Sequence, residues 1–334
     1  MTVDAIVHGA EMETAAPRSG LLSFLLTLVF CTALAAAPYY ASTYALTLLA
    51  TFAAYAIALL GFNILLGYTG LLSFGHAMFI AMGAYTAAVF TSKLGIPYLE
   101  LILLAAAAVS AAAAFLIGLF CVRYTKIFFS MLTLAFGMTF YSFLNKFYFV
   151  TGGDQGMRIT RPLLAGLDSA GGKTAFLTGP FYYYSLALLA ILAFLAWRLL
   201  HSPLGLHMRA VRDNPQKAAY LGVKVQRTRL WAFVISAVYC SIAGVLIGIS
   251  VGLADPELGY WTQSGNLVFM TVLGGTGSFG GPVLGALVFV FLNDWLNATT
   301  EYWRFVLGAI LVAIVVFAPR GVAGLVHGLL GKKA

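Results

Sequence analysis

Three stretches of this sequence have residue types and spacings that could do chemistry. Gly275-Thr276-Gly277-Ser278-Phe279-Gly280 fits the G-x-G-x-x-G pattern of a dinucleotide-binding turn. That chemistry needs a strand before the turn and a surface helix after it, because the pyrophosphate rests on the helix N-terminus. Here the pattern lies within an uncharged run, so the tight turn and close helix approach that glycine permits are sufficient explanation. Gly172-Lys173-Thr174 looks like the end of a phosphate loop, but Leu167, not Gly166, stands where the first glycine is required. The third stretch, Pro203 to Arg229, is a polar island. Arg198 to Arg229 carries seven basic residues against one acid, Asp213, in a chain of net charge +8.

What is missing narrows the chemistry further. No H-E-x-x-H, no G-x-S-x-G and no acid pair occurs within an apolar run, so no set of nucleophile, base and orienting group can be assembled there. An ion- or proton-driven carrier usually keeps a carboxylate inside its spans, and only Asp294 lies in an apolar stretch, near its end. The energy source is therefore expected outside this chain, which should itself bind no cofactor. The basic residues cluster at the ends of apolar runs with few aromatics beside them, which fits membrane topology and not nucleic acid. Cys31, Cys121 and Cys240 sit in apolar runs without metal or disulfide spacing and read as small hydrophobes.

The elements that must position these residues are membrane helices. The 334-residue chain is 61% hydrophobic and 9% charged, whereas a soluble domain carries about 25% charged residues. A helix crosses the hydrocarbon with roughly 20 apolar residues, and Ser19 to Ser92, Leu101 to Val122, Thr174 to Trp197, Leu230 to Ala254 and Leu258 to Asn293 contain no charge. Barrel strands would instead alternate apolar and polar residues. The expected fold is all-α and polytopic, with about ten transmembrane helices including broken or re-entrant segments. Residues 1–20 form a retained cytoplasmic tail, residues 21–334 a single transmembrane domain. Spans are expected near Leu21 to Ala37, Thr43 to Leu66, Ala77 to Phe90, Tyr98 to Phe120, Ile127 to Phe149, Tyr182 to Leu200, Leu230 to Val251 and Phe305 to Phe317. The loop 150–180 should face outward and the basic loop 201–229 inward; ten spans then put Arg18, Arg123, Lys126, Arg320, Lys332 and Lys333 on the cytoplasmic side, both termini included.

Two glycine-rich breaks interrupt the apolar runs. Thr69-Gly70-Leu71-Leu72-Ser73-Phe74-Gly75 and Thr276-Gly277-Ser278-Phe279-Gly280 share a TG(xx)SFG pattern, one in each half of the chain. Irregular backbone at membrane depth must be buried in protein or line a cavity, and paired breaks can mark a transport path. Asn63, Thr69, Gly70, Ser73, Gly75, His76, Gly277 and Ser278 are the candidate path residues. Chance likeness of two Gly/Ser-rich breaks, and ordinary interhelical hydrogen bonding for His76 and the amides, are the competing readings.

Within the basic loop, Asp213-Asn214-Pro215 is a helix start, an Asx cap followed by proline at the first helical position. Gln216 to Leu221 makes barely two turns and Gly222 supplies a left-handed stop. A helix so short is marginal alone, so its two caps suggest a shape wanted for docking; a plain positive-inside connector is the alternative. The pattern of Gly205, Arg209, Ala210, Arg212, Pro215, Ala218 and Gly222 resembles the cytoplasmic loop of permease subunits of ABC importers of the branched-chain amino acid type. Gly61 to Ala88 and Gly274 to Leu287 resemble that family's two glycine-rich blocks, and Ala318 to Leu325 its ending. One departure stands out. Lys217 occupies the position before Ala218-Ala219 where the wider importer signature has Glu, so any salt bridge of that Glu does not transfer.

The resemblance implies inward movement of a small polar solute by alternating access across a bacterial-type cytoplasmic (inner) membrane. That solute would be a branched-chain or other amino acid, urea or amide, or small carboxylate. It also implies partners: a second homologous permease subunit, two cytoplasmic ABC ATPases that use ATP and Mg, and a periplasmic or lipoprotein solute-binding protein. The loop from Gly205 to Gly222, with Asp213, Asn214 and Ala219, would be the ATPase-coupling element. An ion-coupled secondary transporter or channel is the alternative class.

Overall fold

The computed structural model describes residues 32–164, 172–317, 321 and 324. Residues 1–40 form a unit separate from 41–334; its described part is helical over 32–40. The expected tail, most of the first expected span Leu21 to Ala37, and most of the C-terminal ending Ala318 to Leu325 lie outside the described residues.

Between Ala41 and Ala334 the helices are α1 (Thr43–Thr69), α2 (His76–Ala88), α3 (Leu99–Cys121), α4 (Ile127–Lys146), α5 (Lys173–Thr178), α6 (Pro180–Leu200), α7 (Pro203–Asp213), α8 (Pro215–Tyr220), α9 (Val225–Val251), α10 (Trp261–Gly274), α11 (Gly281–Thr299) and α12 (Trp303–Phe317). Their limits follow local chemistry. The Ser42 hydroxyl accepts from Ala45 N–H to cap α1, prolines open α6, α7 and α8, and left-handed Gly70 and Gly252 close α1 and α9. Among the described residues six helices are long and apolar enough to cross a bilayer: α1, α3, α4, α5 with α6, α9 and α11. At about 1.5 Å per residue α10 reaches only about 21 Å, short of the roughly 30 Å hydrocarbon, whereas α2 runs straight on into a π-helical turn at Val89–Lys93. Among the described residues the all-α polytopic fold is therefore present with six helices of spanning length, and the expected number of about ten, which includes a span that falls mostly outside the described residues, is not confirmed.

The centre of the molecule is α9, packed against α1, α2 and α3 and almost wholly enclosed; α3, α4 and α6 leave most of their surface turned outward. Lipid tails are as apolar as leucine, so helices in a membrane gain little by hiding leucines from them and associate where small residues allow close packing. The α2–α9 contact shows it. A Cβ placed on Gly83 would fall 1.9 Å from the Ser241 carbonyl oxygen, and one on Gly244 2.0 Å from that of Ile80.

The loop 150–180 has structure of its own. β1 (Met157–Arg158) pairs antiparallel with β2 (Leu253–Ala254), directly after α9. Since α9 begins at Val225, just past the basic loop, and runs about 40 Å at 1.5 Å per residue, the basic loop and the β1–β2 ribbon lie at opposite ends of one spanning helix.

Candidate functional site

The basic loop folds into two short helices set at an angle by Asn214, whose backbone is extended (φ −154°, ψ 100°). Gly205 lets α7 turn back over α6, its α-carbon pressed against the Leu200 carbonyl. One face of α7 holds Gly205, Met208 and Val211, all buried, which seats the helix on the membrane domain. The N-cap of α8 is Asn214, its side-chain oxygen accepting from Lys217 N–H at 2.9 Å; Asp213 is the last residue of α7. Leu206 to Arg212 is part of this 11-residue helix. At the other end Gly222 takes φ 87°. Gly222 N–H donates to Ala219 O and Val223 N–H to Ala218 O, both at 3.0 Å, the paired bonds of a Schellman stop.

Polar and apolar side chains of the loop then part company. Ala218 is buried, while Ala219, Lys217, Tyr220 and Leu221 face outward, the last two 91% and 84% exposed. Two large hydrophobes at the tip of a polar loop are unusual for a mere connector. They went unnoticed in the sequence because Tyr and Leu are common everywhere in this chain; only their position beside a capped stop distinguishes them.

Arg212 and Arg209 reach the end of α1. Arg212 Nη1 donates to the Gly67 carbonyl at 2.5 Å, and its Nε contacts Asp213 Oδ1 at 3.2 Å. Arg209 places its guanidinium carbon 5.3 Å from the centre of the Tyr68 ring. Gly67 and Tyr68 belong to the last turn of α1, where backbone carbonyls lack helical partners and the helix dipole is negative. A charge-assisted hydrogen bond there is worth about 1.5–3 kcal/mol. The Arg212–Asp213 pair, partly exposed on both sides, contributes less than 1 kcal/mol by the usual measure of surface pairs and mainly orients the guanidinium.

The first glycine break is buried in protein. Gly70 ends α1 with φ 73°, Gly70 and Leu71 N–H donate back to Leu66 and Leu65 carbonyls, and other helices supply partners around the stretch. Ser130 Oγ donates to Leu72 O at 2.6 Å, and Ser264 Oγ accepts from Ala77 N–H at 2.8 Å. A Cβ on Gly75 would lie 2.1 Å from the Thr133 carbonyl oxygen, so α4 closes directly over the break. Thr69 is buried with its hydroxyl on Ile64 O at 2.9 Å. His76 is fully buried, Nδ1 2.8 Å from Ser73 Oγ and Nε2 2.9 Å from Ser236 Oγ, with Phe62, Phe79 and Phe233 edge-on around it. Both ring nitrogens are occupied by these serines, leaving neither for a solute in this conformation.

The second break is a reverse turn joining α10 to α11. Gly274 abuts Gly281 and Gly285 abuts the Met270 carbonyl, the register of an antiparallel helical hairpin. This turn packs against the last two turns of α1, just before the first break. Asn63 Nδ2 donates to Ser278 O at 3.2 Å, and a Cβ on Gly67 would fall 2.6 Å from the Thr276 carbonyl oxygen. Gly277 projects outward from that turn with nothing near its α-carbon.

Membrane-spanning helices, a docked two-helix loop and glycine-rich breaks make this a polytopic helical membrane protein. Residues 44–315 match the family model of the branched-chain amino acid transport system permease component, and the chain belongs to that family. It is 32% identical over 285 residues to the high-affinity branched-chain amino acid transport system permease protein LivM of Salmonella typhimurium, covering 80% of this chain and 67% of that one. It is also 32% identical over 142 residues to LivH of Escherichia coli, 42% of this chain and 44% of that one. The autoinducer 2 import system permease LsrC of Escherichia coli is 27% identical over 171 residues, 49% of this chain and 46% of that one. No solved structure matches.

Proposed function

We propose that this permease moves a branched-chain amino acid or a related small polar solute inward across a cytoplasmic membrane, driven by ATP hydrolysed in separate subunits. The observation that carries the reading is α8: a two-turn helix capped at both ends, with Tyr220 and Leu221 exposed at its stop and its root clamped to α1. Hydrophobic anchors on a rigid, presented element are what a partner's groove binds. The partner that fits is a cytoplasmic ATPase using ATP and Mg, while this chain binds no cofactor of its own.

Likeness to both LivM and LivH supports pairing with a second permease subunit of the same family, two ATPases completing the assembly and a periplasmic or lipoprotein binding protein delivering solute to the outer face. The basic loop 201–229 is then cytoplasmic, as are both termini, and the β1–β2 ribbon faces outward. Whether substrates extend beyond branched-chain amino acids is set by the binding protein as much as by this chain.

The test is reconstitution of the complex in proteoliposomes with the binding protein and labelled leucine. Uptake should require ATP inside or outside according to orientation and survive collapse of ion gradients. Uptake that follows an imposed gradient in the absence of ATPase subunits would establish a secondary transporter instead.

A further inference from the structure

We propose that Arg212 is the strut that carries displacement of the coupling loop into both glycine breaks at once. The inference rests on the importer reading for the origin of the displacement, but not for the mechanical link itself. Four contacts define that link. Arg212 sits at the C-terminal end of α7, two residues before Asn214, so any tilt of α8 moves its backbone. Its guanidinium holds the Gly67 carbonyl at 2.5 Å, and its Cγ would be only 2.9 Å from a Cβ on Gly70, so the side chain lies flat along the end of α1. Gly67 in turn rests against the Thr276 carbonyl, and Asn63, one turn earlier on α1, donates to Ser278 O at 3.2 Å.

The second break therefore has no need of direct contact with the loop. Movement of Arg212 shifts the last turn of α1, and that turn bears on Thr276 and Ser278. Packed interfaces of this kind respond as discrete two-state elements more than as soft springs, which suits a switch between inward- and outward-open forms. Asn63 Oδ1 is buried without a hydrogen-bond partner, and the residue is only 2% exposed. Leaving a buried acceptor unpaired costs about 1–3 kcal/mol, so this junction is not locked by a saturated hydrogen-bond network.

The role is positional, acting through the end of α1. A Lys side chain would keep the charge at the end of α1 but lose the fork that engages Gly67 and Asp213 together.

Two measurements on the purified complex test the strut. The first uses Gly277→Cys as a reporter on the second break, read by the rate of maleimide labelling without nucleotide. Arg212→Ala should change that rate at least threefold, and Arg212→Lys should fall between it and the parent. An unchanged rate in Arg212→Ala overturns the proposal whether or not the chain is an importer. The second is leucine transported per ATP hydrolysed in proteoliposomes. Arg212→Ala should lower this ratio at least tenfold while the ATPase subunits still co-purify, whereas Arg227→Ala, an exposed arginine with the same charge change, should leave it intact. A ratio preserved in Arg212→Ala also overturns the strut. Uptake by the parent complex that ignores ATP overturns the importer reading instead, and the labelling result still decides the role of Arg212.

Discussion

The Arg212 guanidinium donates to the Gly67 carbonyl across 145 positions of sequence, at 2.5 Å, and so fastens the cytoplasmic loop to the broken end of α1. On the opposite side of Gly67 the Thr276 carbonyl leaves no room for a side chain. One glycine is thus the meeting point of the loop, the end of α1 and the second break.

Gly67→Ala separates helix propensity from junction packing. Alanine in a helix is favoured over glycine by about 1 kcal/mol, so a loss of function cannot come from a weakened helix. The new Cβ would stand 2.6 Å from the Thr276 carbonyl oxygen, a backbone atom that must shift. Uptake in proteoliposomes should fall at least fivefold with the helical circular dichroism signal retained; full uptake would show that the end of α1 and the second break can part without consequence.

Gly222→Val should uncouple ATP hydrolysis from transport. No atom lies within 4 Å of the position a Cβ would take, so the cost is conformational alone, about 1–2 kcal/mol for a left-handed residue with a branched side chain. That cost falls on the stop of α8 and leaves the membrane core untouched. Normal binding-protein-stimulated ATPase together with normal uptake would contradict the assignment of α8 as the coupling helix.

Tyr220→Ala and Leu221→Ala should not alter the stability of the isolated permease by more than about 0.5 kcal/mol, because both side chains are exposed. Each should weaken retention of the ATPase subunits by more than about 1 kcal/mol, roughly five- to tenfold in affinity. Co-purification at graded detergent and salt measures this, and unchanged retention in the double variant would move the docking surface elsewhere.

His76→Ala empties the space between three phenylalanines and removes the partner of two serine hydroxyls. A large-to-small change at such a site costs about 2–5 kcal/mol, with unsatisfied hydroxyls adding to it. The melting temperature in detergent should drop markedly. Loss of uptake with an unchanged melting temperature would instead place His76 on the solute path.

Orientation is open to a direct check. After replacement of the native cysteines, an impermeant maleimide added to intact cells should label Glu257→Cys and spare Lys217→Cys, since the two positions flank α9 at opposite ends. The reverse pattern would invert the proposed topology.

Much of the helix layout was legible in the sequence. Hydropathy alone put helices near Thr43 to Leu66, Tyr98 to Phe120 and Tyr182 to Leu200, and the observed α1, α3 and α6 differ by a few residues at their ends. Those ends depend on caps and on the first turn of tilt into the interface, which apolar content does not record. The cap of α8 was legible too: an Asx residue directly before a proline at the first helical position is Asn214 before Pro215, and Asn214 is the observed cap.

By itself the sequence determined that this is a helical membrane protein with two glycine breaks and one capped polar loop, because hydropathy, proline and the left-handed preference of glycine act within a few residues. The tertiary structure alone decided that Arg212 meets Gly67, that Asn63 reaches Ser278, and that His76 is enclosed by Ser73, Ser236 and three phenylalanines. The physical reason is that a buried polar group must find a partner wherever the packed helices bring one, at separations of up to 215 residues here, and no local pattern encodes which partner that is.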